Sequence, residues 1–315
     1  MEYLLLILGF VFLIKGADLF VEGASSIAKH LKMPPILIGL TIVAFGTSAP
    51  EAAVSINAAL NGSNEIALGN VIGSNIFNFL LVIGIASLIA PLGVQKQTII
   101  KEFPFVLLAT SVLFVITADS IFEGAISNYI SRSDGLVLIF LFSIFIYYLV
   151  EMALLTKEDY KDSSPSNSIL ISILKSVVGI IAIIVGSEWA VKSSSDIAMN
   201  FGMSESLVGL TIVAIGTSLP ELVTSVVAAI KKENDIAMGN VIGSNLFNIF
   251  FVLGISSVIN PIKVENTINL DLLFLLFVTA ITYVFSISKK RISRTEGFVL
   301  SGFYFLYLIF IVIRN

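Results

Sequence analysis

The 315-residue sequence contains no cysteine and a single histidine, His30. The lack of cysteine excludes disulfides, thiolate nucleophiles and thiolate metal sites. His30 stands between Lys29 and Lys32 at an expected helix end, and reads as a polar residue beside a membrane rather than a ligand. Charge is scarce too: 13% of residues are Asp, Glu, Lys or Arg, where soluble domains carry about 25%. So little charge does not cover a water-facing surface. The net charge of −4 argues against a nucleic-acid partner. The opening Met-Glu-Tyr-Leu-Leu-Leu-Ile-Leu lacks the basic flank and small-residue cleavage site of a signal peptide, and reads as a first, retained span.

Apolar residues are abundant, at 57% with a mean hydropathy of +1.00. Apolar stretches repeatedly reach the ~20 residues that cross a hydrocarbon core as helix. The pattern predicts an all-α polytopic membrane protein with ten spans, near 2–28, 35–60, 66–91, 102–118, 134–155, 168–199, 204–230, 236–260, 268–288 and 295–313. The one clearly hydrophilic interior stretch runs from Thr156 to Ser168 and leaves no room for a soluble regulatory domain. It divides the chain into 1–155, a linker at 156–167, and 168–315. Alternating loops place Lys29, Lys32, Lys96, Lys101, Lys157, Lys161, Lys231, Lys232, Lys289, Lys290, Arg291 and Arg294 on one side, against Arg132, Lys263 and Arg314 on the other. The positive-inside rule then sets the linker in the cytoplasm and both termini outside, in the cell membrane.

The two halves are repeats. Gly39–Val94 matches Gly209–Val264 at a constant offset of 170 residues, with 33 of 56 positions identical. Five spans per half make the second copy inverted relative to the first, the arrangement of secondary transporters whose sites lie at the repeat interface near the bilayer midplane.

The second span of each half carries Gly46-Thr47-Ser48-Ala49-Pro50-Glu51 or Gly216-Thr217-Ser218-Leu219-Pro220-Glu221. Proline removes a backbone donor and clashes with the preceding turn, so spans 2 and 7 should break there. Carbonyls around Ala44–Thr47 and Ala214–Thr217 would lose helical partners, which hydrocarbon tolerates only at a cavity or an ion. Carbonyls, Thr and Ser hydroxyls and a carboxylate together make an oxygen cage suited to hard cations. The next span brings Gly69-Asn70-Val71-Ile72-Gly73-Ser74-Asn75 or Gly239-Asn240-Val241-Ile242-Gly243-Ser244-Asn245, with Asn78 and Asn248 one turn after Ser74 and Ser244.

Plainer readings compete. Spaced glycines alone are ordinary helix packing, and a lone intramembrane hydroxyl commonly bonds a backbone carbonyl. Glu51 and Glu221 differ, because a mid-membrane carboxylate costs at least ~2.5–3.5 kcal/mol. Basic residues lie mostly in loops; Lys15 is one exception, and Asp18 is its nearer candidate partner. Two unpaired carboxylates at equivalent positions point to a shared cation site.

GTSAPE with GNVIGSNIFN, and GTSLPE with GNVIGSNLFN, resemble the α-repeats of the cation/Ca²⁺ exchanger superfamily, and within it a prokaryotic Na⁺/Ca²⁺ exchanger. The resemblance covers both motif regions, 39–84 and 209–254. It implies that Glu51 and Glu221 are acidic ligands shared by Ca²⁺ and Na⁺. Thr47, Ser48, Ser74, Thr217, Ser218 and Ser244, with the carbonyls of Ala44, Thr47, Ala214 and Thr217, are then further oxygen donors. Asn78 and Asn248 take the third polar positions. Some relatives, the K⁺-dependent exchangers among them, carry aspartate where this chain has Asn248; the amide points to K⁺-independent exchange. The implied protein is an antiporter, not an enzyme. It has no cofactor beyond its transported ions, and one chain holds a complete site and functions as a monomer. A Ca²⁺/H⁺ antiporter, a K⁺-dependent exchanger and, more remotely, a cation channel remain open at this point.

Overall fold

A computed structural model of the chain describes residues 2–62, 64–122, 124, 127–155, 168–203, 214–265 and 268–314. Among the described residues, eight helices are long and apolar enough to cross a membrane. They are α1 (Glu2–Leu31), α4 (Ile66–Ile89), α5 (Thr98–Ile116), α6 (Arg132–Leu155), α7 (Ile169–Asn200), α9 (Asn234–Ile259), α10 (Ile268–Lys289) and α11 (Arg294–Arg314). A ninth span is the bent pair α2 (Pro35–Thr47) and α3 (Ala49–Leu60), which meet at 50°. Where the sequence predicts a seventh span, the described part is one turn at Ala214–Gly216 and α8 (Leu219–Ile230). Its first portion, 204–213, and the expected linker, 156–167, fall outside the described residues. Among the described residues the count is therefore eight or nine spans, and the predicted seventh span lies partly outside them.

The break in the second span comes where proline demands it. Pro50 lies in the first turn of α3, where its missing N–H disturbs nothing. Ser48 stands between the helices with φ −85° and ψ 7°. Helical bonding persists to the break, since Ser48 N donates to Ala44 O at 3.0 Å. The Ala44 carbonyl thus keeps a helical partner, contrary to expectation, because the chain departs from the helix only after Thr47.

Two spans are central. α4 and α9 are each 78% buried over their apolar windows, against 28–39% for the other six long helices. Each ends on the far half of the chain, α4 against α11 and α9 against α6. Glycines make both approaches possible: a Cβ on Gly297 would stand 2.7 Å from the Gly84 carbonyl, and one on Gly135 2.8 Å from that of Gly254. The outermost contact is α1 against α7, where Gly9 and Gly16 face Gly186 and Gly179. The all-helical expectation misses two short antiparallel strand pairs that tie loops of the two halves together: Leu92–Gly93 with Arg291–Ile292, and Asn128–Ile130 with Ile262–Val264. Lys15 also differs from expectation: Asp18 pairs with Lys231 (2.6 Å), whose turn lies against α1, and not with its own helical neighbour.

Candidate functional site

The proline break places Glu51 and Glu221 in the first turns of α3 and α8, both with no solvent exposure. Ser48 and Ser218 occupy the positions from which a serine ordinarily caps its own helix, but neither does so. Each reaches across the molecule instead. Ser48 Oγ donates to Glu221 Oε1 at 2.7 Å, and Ser218 Oγ donates to Glu51 Oε1 at 3.0 Å. The two halves are cross-linked through one another's carboxylates. Ser218 Oγ also bonds Ser74 Oγ at 3.1 Å. Ser74 lies within reach of Glu51, and Thr47 and Ser244 within reach of Glu221.

The second oxygen of each carboxylate, Oε2, is buried with no hydrogen-bond partner among the described residues. The ion pairs described, Lys175–Glu22, Lys231–Asp18 and Arg314–Asp271, lie elsewhere. Two fully buried carboxylates, each bonded by a serine from the other half and each keeping one free oxygen, form a strongly cation-seeking centre.

Asparagines brace this centre in the same way in both halves. Asn70 Nδ2 donates to the Glu51 carbonyl (3.3 Å) and Ser55 Oγ (3.0 Å); Asn240 Nδ2 donates to the Glu221 carbonyl (3.4 Å) and Ser225 Oγ (2.9 Å). Asn78 and Asn248 make no hydrogen bond to the carboxylates. Asn78 Nδ2 donates to Asn245 Oδ1 (3.0 Å) and Asn248 Nδ2 to Asn75 Oδ1 (3.3 Å), a second reciprocal crossing. Both sit where the helix widens into a π turn, at Asn78–Val82 and within Phe247–Val252, as π turns often do at functional sites. The side-chain oxygens of Asn78 and Asn248 are left without partners. Asn70, Asn75, Asn240 and Asn245 were not singled out as site residues from sequence, although each recurs at the 170-residue offset.

Thr47 and Thr217 stand at equivalent positions but differ in exposure and bonding. Thr47 is fully buried and its Oγ1 donates to Asn240 Oδ1 at 2.9 Å, whereas Thr217 is partly exposed and its Oγ1 has no partner among the described residues. Gly239 and Gly243 are pressed on α2, where a Cβ would meet Ile36 O at 2.7 Å or Leu40 O at 2.8 Å. At the equivalent Gly69 and Gly73, a Cβ would meet nothing within 4 Å among the described residues, and positions 206 and 210, equivalent to Ile36 and Leu40, lie outside them. Ala44 O is within 3.5 Å of Ser244 Oγ. Ala214 opens the single helical turn before Thr217, and its side chain is outside the described set.

A sequence profile described as sodium/calcium exchanger protein matches residues 1–151 and 171–313, nearly the whole of both halves. The chain belongs to the sodium/calcium exchanger family. A putative antiporter, CaxA, of Alkalimonas amylolytica is 39% identical over 93% of both chains. Sodium/calcium exchanger MaX1 of Methanosarcina acetivorans is 34% identical, covering 98% of this chain and 97% of its own. Solved structures of the sodium-calcium exchanger NCX_Mj superpose over 98% of this chain and 97% of theirs, with a TM-score of 0.85 and 31% identity. This exchanger chain therefore shares its fold with NCX_Mj along almost its whole length.

Proposed function

We propose that the chain is a secondary antiporter that exchanges extracellular Na⁺ for cytosolic Ca²⁺ by alternating access, electrogenically and without K⁺. The reading is carried by one observation: Glu51 and Glu221 are fully buried, crossed by hydroxyls from opposite halves, and each keeps a partnerless oxygen. An acceptor-only, doubly charged centre in a membrane is stable only with cations in it. Its donors are all oxygen, which suits Ca²⁺ and Na⁺. Family membership, and the names of MaX1 and NCX_Mj, support the same pair of ions.

In this scheme Glu51 and Glu221 bind either one Ca²⁺ or several Na⁺. Ser48, Ser74, Ser218, Ser244, Thr47 and Thr217, with the carbonyls of Ala44 and Ala214, complete the cage. Asn78 and Asn248 are its neutral members. With no third carboxylate, one Ca²⁺ neutralises the site, and three Na⁺ leave one positive charge. Moving that charge is worth ~2.3 kcal/mol per 100 mV, so a negative interior drives Na⁺ in and Ca²⁺ out. The site lies within one chain, with the termini outside and the linker cytoplasmic.

Proteoliposomes test this. ⁴⁵Ca uptake should follow an imposed Na⁺ gradient and ignore K⁺ and H⁺ gradients, and Glu51→Gln or Glu221→Gln should abolish it while the protein still purifies folded. Uptake driven by a proton gradient alone, or full exchange in either variant, refutes the reading.

A further inference from the structure

Six described residues have a left-handed backbone: Lys32, Lys232 and Lys290 (φ 53°, 63° and 50°), and Gly62, Gly124 and Gly202 (φ 77°, 68° and 92°). They divide by membrane face. Gly202 follows α7, whose end Asn200 bonds Glu2 at the start of α1, whereas Lys32 follows the other end of α1. Ser25, near that second end, bonds Glu233 (2.6 Å) beside Lys232, and Lys290 O accepts Val94 N in the strand pair below the same helix ends. Gly62 lies beyond α3 and Gly124 beyond α5, each one span away from the lysine face. Among the described residues, every left-handed turn on one face carries lysine, and every one on the other carries glycine.

The internal repeat makes this a controlled comparison. Lys32 and Gly202 are equivalent positions, as are Gly62 and Lys232, each 170 residues apart. The backbones do the same work: Met33 N bonds Ala28 O (2.9 Å) around Lys32, and Met203 N bonds Ala198 O (3.1 Å) around Gly202. Likewise Lys232 N bonds Ala229 O (3.1 Å) and Gly62 N bonds Ala59 O (3.3 Å). A side chain with a Cβ is strained in this conformation and glycine is not. The negative end of a helix dipole favours lysine, but all four turns close helix C-termini, so the dipole does not separate them. What separates them is the side of the membrane.

We propose that Lys32, Lys232 and Lys290 form a binding surface for the phosphates of anionic phospholipid headgroups. All three are exposed. Lys232 and Lys290 line one open cavity of about 380 Å³ beside Gly93, Gln95 and Asn234. Its two carboxylates are engaged by neutral donors, Glu233 by Ser25 and Asp235 by Gln95. A juxtamembrane lysine gains roughly fivefold in binding to an anionic leaflet; the attraction offsets the turn strain on this face only. The inference takes the membrane orientation from the exchanger reading, and its test measures lipid binding rather than transport.

Purified full-length protein in neutral detergent is titrated with phosphatidylglycerol, phosphatidylcholine or inorganic phosphate, and the melting temperature is followed. Phosphatidylglycerol alone should raise it, and the rise should weaken with salt. In the triple variant Lys32→Gly, Lys232→Gly, Lys290→Gly, the melting temperature without lipid should increase as strain is relieved. The phosphatidylglycerol needed for a half-maximal rise should increase on the order of a hundredfold. A triple Lys→Asn variant, tolerant of the turn but uncharged, should behave alike, and triple Lys→Arg should keep the lipid response. An undiminished response in the glycine and asparagine variants, a lower lipid-free melting temperature in the glycine variant, or an equal rise with inorganic phosphate overturns the proposal. So does scrambled membrane insertion with lipid binding intact, which would assign the lysines to orientation during insertion.

Discussion

Gly243 and Gly73 occupy equivalent places, 170 residues apart, and of the two only Gly243 is pressed by described residues. A methyl on Gly243 would stand 2.7 Å from Ala44 Cβ and 2.8 Å from Leu40 O, and the Leu40 backbone has no room to yield cheaply. A methyl on Gly73 would meet nothing within 4 Å among the described residues. Overpacking of this kind costs about 1–3 kcal/mol, equivalent to a shift of roughly 5–150-fold in a two-state equilibrium. Gly243→Ala should therefore depopulate the observed arrangement. Gly73→Ala should leave it intact and penalise the opposite access state, in which the repeat would press Gly73 as Gly243 is pressed now. The chain has no cysteine, so a single Gly69→Cys reports accessibility without background. In that background Gly243→Ala should slow labelling by an impermeant maleimide several-fold or more, and Gly73→Ala should leave it equal or faster. Both should slow ⁴⁵Ca exchange, since the cycle visits both states. Unchanged labelling in Gly243→Ala, or equal slowing of labelling in both variants, would refute the link between packing at Gly243 and access.

Other expectations rest on single contacts. Ser48→Ala and Ser218→Ala each remove a hydroxyl from a buried carboxylate; with hydrogen bonds to charged groups contributing ~1.5–3 kcal/mol, Ca²⁺ affinity by isothermal titration should fall roughly ten- to a hundredfold. Asn240→Ala frees the Glu221 carbonyl, Ser225 and Thr47 at once, and should lower both exchange rate and melting temperature, whereas Asn240→Asp should not restore them because it lacks the donor. Asp271→Asn breaks the paired bonds from Arg314 (3.0 and 2.9 Å) away from the site; it should cost ~1–3 kcal/mol of stability with exchange retained, as judged by thermal melting and flux.

The features legible in the sequence are those whose cost does not depend on what surrounds them. A carboxylate in a hydrophobic span is expensive wherever its neighbours lie, so Glu51 and Glu221 stand out from the string alone. Pro50 and Pro220 break their helices through local backbone chemistry, and the 170-residue repeat is visible by alignment. Tertiary structure decided the pairings, because these join residues far apart in the chain. Ser48 could have capped its own helix, and only the packing of the two halves hands it to Glu221 173 positions away. Asn78 and Asn248 share helix faces with Ser74 and Ser244, which suggested direct contact with the carboxylates. The π turns and the crossing of α4 and α9 turn them to Asn245 and Asn75 instead. The amides of Asn70 and Asn240 stand in the recurring motifs, but an amide in a span carries no large local penalty that marks it as a brace. Their role appears only when the glutamate carbonyls are seen 3.3–3.4 Å away. Nor does the repeat itself reveal that Thr47 bonds Asn240 while Thr217 Oγ1 has no partner among the described residues, since such bonds depend on packing across the chain.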